Sequence, residues 1–165
     1  MPKDDGKPAI SKEAKVRQAL GAAPRKPLAV SEDEPLDAVA ARLGDQPGVH
    51  TVAVVDAANR LLGIIPMRIL LDELFFLVAP EEFLVEMREM AGVEEFGRIS
   101  RAEKARDLMQ DPVYVTLEDT VRDAFVRMHE AKLEGLPIVD EAMKVVGYLD
   151  RFQLLRLWLE SRPKK

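Results

Sequence analysis

The sequence predicts an α/β fold built from two similar units, each ordered strand, helix, strand, strand, helix. The clearest observation is an apolar segment at 52–56 that recurs 84 residues later at 136–140. Gly63 recurs at the same spacing as Gly147, so the turn between the two strands has the same length in both copies. One structural unit used twice explains this shared register.

The first half of each unit combines a short strand with an amphipathic helix. Residues 27–43 match residues 112–128 at a spacing of 85, one residue more than the later strands. In each copy Ser31 or Thr116 ends the strand, acidic residues follow, and apolar residues then recur at helical spacing. Hydroxyl and acidic side chains at that place favour a helix N-terminus, where backbone N–H groups need acceptors.

The second half of each unit is two apolar strands and a closing helix. The strands are apolar almost throughout, which indicates burial on both faces. A unit of about 55 residues is only marginally stable alone. We therefore expect helices to cover one face of each sheet and the other unit to cover the second face, so that both units share one core.

Composition restricts the classes of function. The chain has 165 residues, a net charge of −5 and no cysteine. An acidic balance argues against general binding to nucleic acid or anionic membrane, because both need a basic surface. The absence of cysteine excludes disulfides and thiolate metal sites, and it favours an intracellular, cytoplasmic protein. The longest apolar run, 69–79, is interrupted by Asp72 and Glu73 and is too short to insert across a bilayer.

Candidates for catalysis are sparse. The chain offers no cysteine nucleophile, and its two histidines, His50 and His129, each lack a neighbour at ligand spacing. Such a histidine is more often a surface or packing residue than an acid–base catalyst. The sequence therefore predicts a protein without catalytic activity of its own, and a small enzyme is the most remote alternative.

Three segments of the second copy carry a resemblance to a known family. They are the Met-Gln-Asp-Pro-Val opening at 109–113, the Gly-Leu-Pro-Ile-Val-Asp strand at 135–140 and the Val-Val-Gly-Tyr-Leu strand at 145–149. This pattern closely resembles the cystathionine-β-synthase (CBS) domain, and the repeat register extends the resemblance to the first copy. A tandem pair of this kind resembles a Bateman module, in which the two repeats pack about a pseudo-twofold axis.

The resemblance also implies a function. Bateman modules bind adenosine-containing ligands such as AMP, ADP, ATP or S-adenosylmethionine in clefts between the repeats and report that binding to a partner. On this basis we expect a regulatory protein that needs no cofactor or metal and signals to an unidentified protein. We also expect a homodimer, for which the apolar helices at 70–77 and 152–159 offer a surface. The alternative is a dimerisation or scaffold module with degenerate nucleotide clefts.

The repeat register divides the chain into five predicted parts. They are a flexible N-terminus (1–15), the first CBS repeat (16–79), a helical insertion with a loop (80–104), the second CBS repeat (105–160) and a basic tail (161–165). Ala-Pro-Glu-Glu at 79–82 indicates a helix stop followed by an acidic helix start. The apolar stripe from Phe83 to Met90 favours packing on its own domain, with a docking face for a partner helix as the alternative.

The family motif that binds phosphate and ribose is altered in both copies. It has the form Gly-h-h-Ser/Thr-x-x-Asp, where h is apolar, and it supplies a hydroxyl for phosphate and a carboxylate for ribose. The first copy has Pro66 and Ile69 at these two positions, which predicts an apolar cleft without nucleotide. The second copy has Asp150 and Gln153. Asp150 suits a helix N-cap, and as a cleft residue it would repel phosphate and favour a neutral or cationic adenosine compound over ATP.

The second cleft is therefore the candidate ligand site. Gln153 can still accept one hydrogen bond from a ribose hydroxyl, although more weakly than a carboxylate. The resemblance places eight residues around this cleft: Asp111, Val113, Leu133, Glu134, Gly135, Pro137, Asp150 and Gln153.

Overall fold

The structure is a computed structural model that describes residues 13–20, 25–76, 79–94 and 101–161. The first half of the chain contains α1 (Val16–Ala19), β1 (Ala29–Ser31), α2 (Leu36–Gly44), β2 (Thr51–Val55), β3 (Leu61–Pro66), α3 (Met67–Phe76) and α4 (Glu81–Ala91). The second half contains α5 (Ala105–Leu108), β4 (Val115–Thr116), α6 (Val121–Ala131), β5 (Gly135–Val139), β6 (Val145–Asp150) and α7 (Arg151–Ser161). The predicted strand, helix, strand, strand, helix order is confirmed in both copies.

The two sheets have the same topology and register. Each has three strands, in the orders β1-β2-β3 and β4-β5-β6, with a parallel first pair and an antiparallel second pair. Ala53 lies opposite Ile64 in the first sheet, and Pro137 lies opposite Tyr148 in the second. The middle and last strands are buried along almost their whole length, as the apolar runs indicate.

The leading helix of each repeat is exchanged with the other repeat. The N–H of Val16, at the start of α1, donates to the Asp119 carbonyl of the second repeat at 2.8 Å. The N–H of Ala105, at the start of α5, donates to the Glu34 carbonyl of the first repeat at 2.9 Å. The linker after α1 must therefore cross from the second repeat to β1 of the first, and the linker after α5 must cross from the first repeat to β4 of the second.

The core is continuous between the repeats. Ile64 of β3 packs in a buried cluster formed mostly by the second repeat, and Tyr148 of β6 packs in the cluster of the first repeat. Between β2 and β5, the Thr51 hydroxyl donates to the Gly135 carbonyl at 2.8 Å. Neither repeat can bury its apolar strands without the other, which agrees with the marginal size of each unit.

The hairpin turns of the two sheets also join. The Leu61 N–H donates to the Met143 carbonyl at 2.9 Å, and the Val145 N–H donates to the Asn59 carbonyl at 3.1 Å. Asn59 and Met143 are equivalent residues and have φ angles of 62° and 63°. Because the four residues form two equivalent pairs 84 positions apart, these bonds follow the internal pseudo-twofold.

A helix begins shortly after Ser31 and after Thr116, as predicted, but neither hydroxyl caps it. The two hydroxyls accept N–H groups in the turn that follows each strand. Helix α2 instead follows Pro35 without a side-chain cap, and α6 is capped by Thr120, whose hydroxyl accepts the Asp123 N–H at 3.0 Å. The chain makes a further turn before each helix, so the hydroxyls lie too far upstream to reach the helix N–H groups.

The insertion begins as predicted, with α4 directly after Pro80. Its Phe83 ring meets Phe75 of α3 edge to face, with centroids 5.2 Å apart, while Met90 is 87% exposed. Most residues of the predicted flexible N-terminus, basic tail and insertion loop lie outside the described residues, so the five-part division stays a prediction. Among the described residues, no helix has the length and apolar content to cross a bilayer.

Candidate functional site

The linker that precedes β1 crosses β6 of the second repeat at a polar site. The backbone of Arg25 pairs with Tyr148. The Arg25 guanidinium nitrogen Nη1 lies 2.7 Å from Asp150 Oδ2, and it also donates to the Gly48 carbonyl at 3.2 Å. The Asp150 side chain is 1% exposed and that of Arg25 is 41% exposed. We call the site formed by Arg25, His50, Tyr148 and Asp150 the polar crossing.

Asp150 is also the N-cap of α7. Its Oδ1 accepts the Gln153 N–H at 2.8 Å, and Gln153 Oε1 accepts the Asp150 N–H at 2.8 Å. This reciprocal pair is a capping box, which satisfies two backbone donors at the helix start. The N-cap predicted for Asp150 is confirmed, and the oxygen of Gln153 that was expected to face a ribose is engaged within the same box.

Tyr148 brings a hydroxyl into the polar crossing. Its Oη accepts the His50 N–H at 2.9 Å, and it lies so close to Gly135 that a Cβ on residue 135 would overlap it. Burial raises the pKa of Tyr148 to about 12, so the phenol stays protonated at any physiological pH. A small residue at 135 is therefore required by the bulk of Tyr148.

The linker that precedes β4 makes the equivalent crossing over the first repeat. The Gln110 N–H donates to the Ile64 carbonyl at 2.8 Å, and the Ile64 N–H donates to the Gln110 carbonyl at 3.1 Å. Pro66 and Ile69, which are both buried, occupy the positions that correspond to Asp150 and Gln153. We call the site formed by Gln110, Ile64, Pro66 and Ile69 the apolar crossing, in agreement with the apolar character predicted for the first cleft.

Four of the eight predicted site residues lie together at the polar crossing. Gly135 is the register partner of Asp150, and the Arg151 N–H that follows Asp150 donates to the Glu134 carbonyl at 3.0 Å. Gln153 is held there by the capping box. Leu133 and Pro137 are buried, Leu133 within the core cluster of the second repeat and Pro137 opposite Tyr148.

Asp111 and Val113 belong to the other crossing. They follow Gln110 along the linker that pairs with Ile64, whereas the linker that reaches Asp150 is the one that carries Arg25. The exchange of leading helices explains this division, because each linker crosses the repeat opposite to its own strand. The eight residues are thus distributed over two crossings, and a ligand role for each of them stays a prediction.

Val113 also lines a surface pocket of about 450 Å³ beside β4. Arg127 closes one side, where its Nη1 donates to the Tyr114 carbonyl at 2.8 Å and to Asp119 Oδ2 at 2.8 Å. Arg42 makes the corresponding pair of contacts in the first repeat, to a β1 carbonyl and to an acidic side chain. Because the same arrangement occurs twice, we interpret it as a brace between strand and helix. The lining residues are Pro112, Val113, Tyr114, Thr116, Asp119 and Arg127.

The sequence-based prediction missed Arg25 and Tyr148. The repeat contained a signal for Arg25. At the spacing of 85, Arg25 corresponds to Gln110, and both lie two residues before the matched Pro27 and Pro112, so the two linkers differ by one charge at equivalent positions. A buried carboxylate such as Asp150 also requires a cation or several donors. What the spacing could not give is the exchange of linkers that brings Arg25 to the second repeat.

Comparisons with known proteins agree with this architecture. Residues 12–75 and 105–160 match the model of the CBS domain family. The chain belongs to the CBS domain family. A CBS domain-containing protein from Thermotoga maritima, tm0935, is 26% identical, with a TM-score of 0.72 over 93% of this chain and 100% of the other.

Two further solved CBS structures contain adenosine compounds. CBSX2 in complex with AMP is 23% identical, with a TM-score of 0.63 over 89% of this chain and 97% of the other. The CBS domain pair of MJ0100, in complex with 5′-methylthioadenosine and S-adenosyl-L-methionine, is 16% identical, with a TM-score of 0.66 over 90% of this chain and 98% of the other. A comparison with curated protein sequences finds no significant match.

Proposed function

We propose that this CBS pair is a regulatory module that binds an adenosine-type metabolite at the polar crossing and signals to a partner protein. The observation that carries the proposal is the polar crossing itself: a buried carboxylate, Asp150, with a half-exposed guanidinium, Arg25, beside it. The AMP of the CBSX2 structure and the 5′-methylthioadenosine and S-adenosyl-L-methionine of the MJ0100 structure support this chemical class, and we include ADP and ATP as further candidates. The proposal contains no catalytic step, and a cytoplasmic location stays a prediction.

The linker at Arg25 offers a route from binding to signalling. It joins α1, which packs on the second repeat, to β1, which belongs to the first sheet. A ligand that contacts the exposed side of Arg25 is therefore linked to both repeats at once, because Arg25 belongs to the first-repeat linker and is paired with the buried Asp150 of the second repeat. Such a ligand favours the relative position of the repeats in which Arg25 stays paired with Asp150, and a partner that senses this position would detect the ligand.

Thermal denaturation with adenosine, AMP, ADP, ATP and S-adenosylmethionine tests the proposal. A ligand at about 100 times its dissociation constant stabilises the native state by about 2.7 kcal/mol. For a chain of this size that is a rise of several degrees, since roughly 2–4 °C accompany each kcal/mol. We expect at least one compound to raise the melting temperature. For a phosphorylated compound the rise should be smaller in Arg25→Ala, which removes the exposed guanidinium of the polar crossing, and it should be unchanged in Gln110→Ala, the matched variant of the apolar crossing.

If none of these compounds shifts the melting temperature of the wild-type chain, the sensor function is wrong and the second candidate replaces it. That candidate is a dimerisation or scaffold module, and it is favoured by exposed apolar side chains on the closing helices. Leu71 of α3 and Leu155 of α7 are equivalent residues, 51% and 47% exposed, and Phe152 and Leu159 extend the surface on α7.

We propose a homodimer that buries these helices, in either the sensor or the scaffold. Multi-angle light scattering at high micromolar concentration should give about twice the chain mass of 18.5 kDa. Leu155→Glu should convert the dimer to a monomer, because an unpaired charge in an apolar interface is costly. The exposed Val146→Glu on β6 is the control and should leave the dimer intact. A wild-type mass of 18.5 kDa would contradict the dimer.

A further inference from the structure

We infer that Arg25 is the residue that makes the polar crossing select phosphorylated adenosine compounds over adenosine itself. This inference rests on the proposed function and concerns the same site. An isolated Asp150 would repel phosphate, as the sequence analysis predicts. The structure instead pairs this carboxylate with Arg25 across 2.7 Å, which cancels its charge.

The ion pair presents its cationic half to solvent. The Asp150 side chain is 1% exposed, whereas the Arg25 side chain is 41% exposed. Within the described part of the chain, the contacts of this guanidinium to Asp150 and to the Gly48 carbonyl both use Nη1. Nε and Nη2 make no contact to other residues that the structure describes, and these two donors of the planar guanidinium have the geometry for a bidentate contact with phosphate.

The other charged groups beside Asp150 do not oppose an anion. Arg151 Nε lies 3.8 Å from the exposed carboxylate of Glu134, so those two charges largely offset each other. Asp150 is paired with Arg25, and the exposed side of this guanidinium is the group that can contact phosphate. Lys26 directly follows Arg25 and is exposed, so it serves as a control for a general attraction of anions.

The apolar crossing lacks this arrangement. Gln110 replaces Arg25 there, so the equivalent linker brings no cation to the first repeat, and Pro66 replaces Asp150, so the end of β3 carries no buried anion. The selection for phosphate is thus a property of one crossing and of one side chain. It cannot be attributed to the backbone, which both crossings share.

Isothermal titration calorimetry with AMP and with adenosine tests the inference. In Arg25→Gln the affinity for AMP should fall about tenfold, because a charge-assisted contact to phosphate is lost, while the affinity for adenosine stays within about twofold. The matched control is Lys26→Gln, which removes the same charge from the neighbouring position. It should change the ratio of the two affinities far less than Arg25→Gln does.

A second pair of variants separates selectivity from stability. Asp150→Asn keeps the helix cap, since Asn and Asp cap equally well, and it releases Arg25 from its counter-charge, so AMP should bind more tightly. Arg25→Gln combined with Asp150→Asn leaves no unpaired buried charge, so the chain should fold and show no preference for AMP. Circular dichroism melts of each variant verify the fold.

The outcomes of these titrations are distinct. An unchanged ratio of AMP to adenosine affinity in Arg25→Gln and in the double variant would overturn the inference and leave the proposed function standing. Tighter adenosine binding as the sole effect of Arg25→Gln would identify Arg25 as an occluding group and would also overturn it. Failure of every variant and of the wild type to bind either compound would instead reject binding of these ligands at the polar crossing, and the inference with it.

Discussion

The polar crossing and the apolar crossing share a backbone and differ in the side chains that it carries. In both, the first N–H of the closing helix donates to the carbonyl before the middle strand: Met67 to His50 at 2.9 Å and Arg151 to Glu134 at 3.0 Å. The bridge between linker and last strand is also repeated. Two copies of one unit thus provide two equivalent frames, and the chemistry of each frame depends on a few substitutions.

These substitutions are coupled to each other. Tyr148 at the polar crossing corresponds to Ile64 at the apolar one, and the residue that its hydroxyl approaches is Gly135, which corresponds to Thr51. A larger residue on the last strand is accompanied by a smaller one on the middle strand. The difference between the crossings is therefore a packing arrangement as well as a difference of charge, and variants can test the two parts separately.

The largest effect is expected from Gly135→Ala. The added Cβ would overlap the Tyr148 hydroxyl inside the core, and overpacking of this kind costs about 3 kcal/mol of unfolding free energy. The same substitution in a Tyr148→Ile background, which restores the residue found in the first repeat, should cost much less. Urea denaturation of the four proteins in this cycle measures the difference. Equal costs in both backgrounds would show that Tyr148 is not the residue that requires glycine at 135.

The fold could be predicted from the sequence because the repeat is recognisable from patterns of residues that are close together in the chain. The spacing of 84 between Gly63 and Gly147 and the apolar runs beside them depend only on neighbouring residues. The Asp150 cap is local too, since its partner Gln153 is three residues away. Patterns of this range give strands, helices and caps, and the register of two copies gives their pairing.

The Arg25–Asp150 pair could not be predicted in this way. Its two residues come from different repeats, and they meet because the leading helices are exchanged. Neither periodicity nor spacing encodes that exchange. For the same reason Asp111 was expected beside Asp150, although the linker after Gln110 crosses the first repeat instead. The candidate site thus depended on a tertiary connection that local patterns do not carry.

A smaller effect is expected of pH on the free energy of unfolding, because the first repeat has a buried carboxyl that the second repeat lacks. Glu73 of α3 is 5% exposed, and its equivalent in α7 is the apolar Leu157. Burial raises the pKa of Glu73 to about 7 from its ordinary value of 4.5. Between these two values the folded chain keeps a proton that the unfolded chain releases, so the free energy of unfolding should fall as the pH rises from 4.5 to 7.

Glu73→Gln should remove this pH-dependent fall in the free energy of unfolding, because glutamine does not ionise. At pH 8 the variant should be more stable than the wild type by on the order of 1–2 kcal/mol, and at pH 4.5 the two should be nearly equal. The control is Glu86→Gln on the exposed side of α4, which should leave the pH dependence as it is. Urea denaturation at pH 4.5, 6 and 8 measures all three proteins. The interpretation of Glu73 as a buried, protonated carboxyl would be contradicted if the free energy of unfolding of the wild type did not fall, relative to that of Glu73→Gln, between pH 4.5 and pH 8.

The smallest effect concerns the two structural roles of Asp150, as cap of α7 and as partner of Arg25. Asp150→Ala removes the Oδ1 that accepts the Gln153 N–H and should cost about 1 kcal/mol, whereas Asp150→Asn keeps that acceptor and should cost only a few tenths. Thermal melts of the two variants give the comparison. Both variants lose the negative charge, but only Asp150→Ala also loses the cap acceptor. Equal costs would therefore mean that the ion pair contributes more to stability than the cap. The predicted inequality would mean that the ion pair with Arg25 adds less to the free energy of unfolding than the cap does.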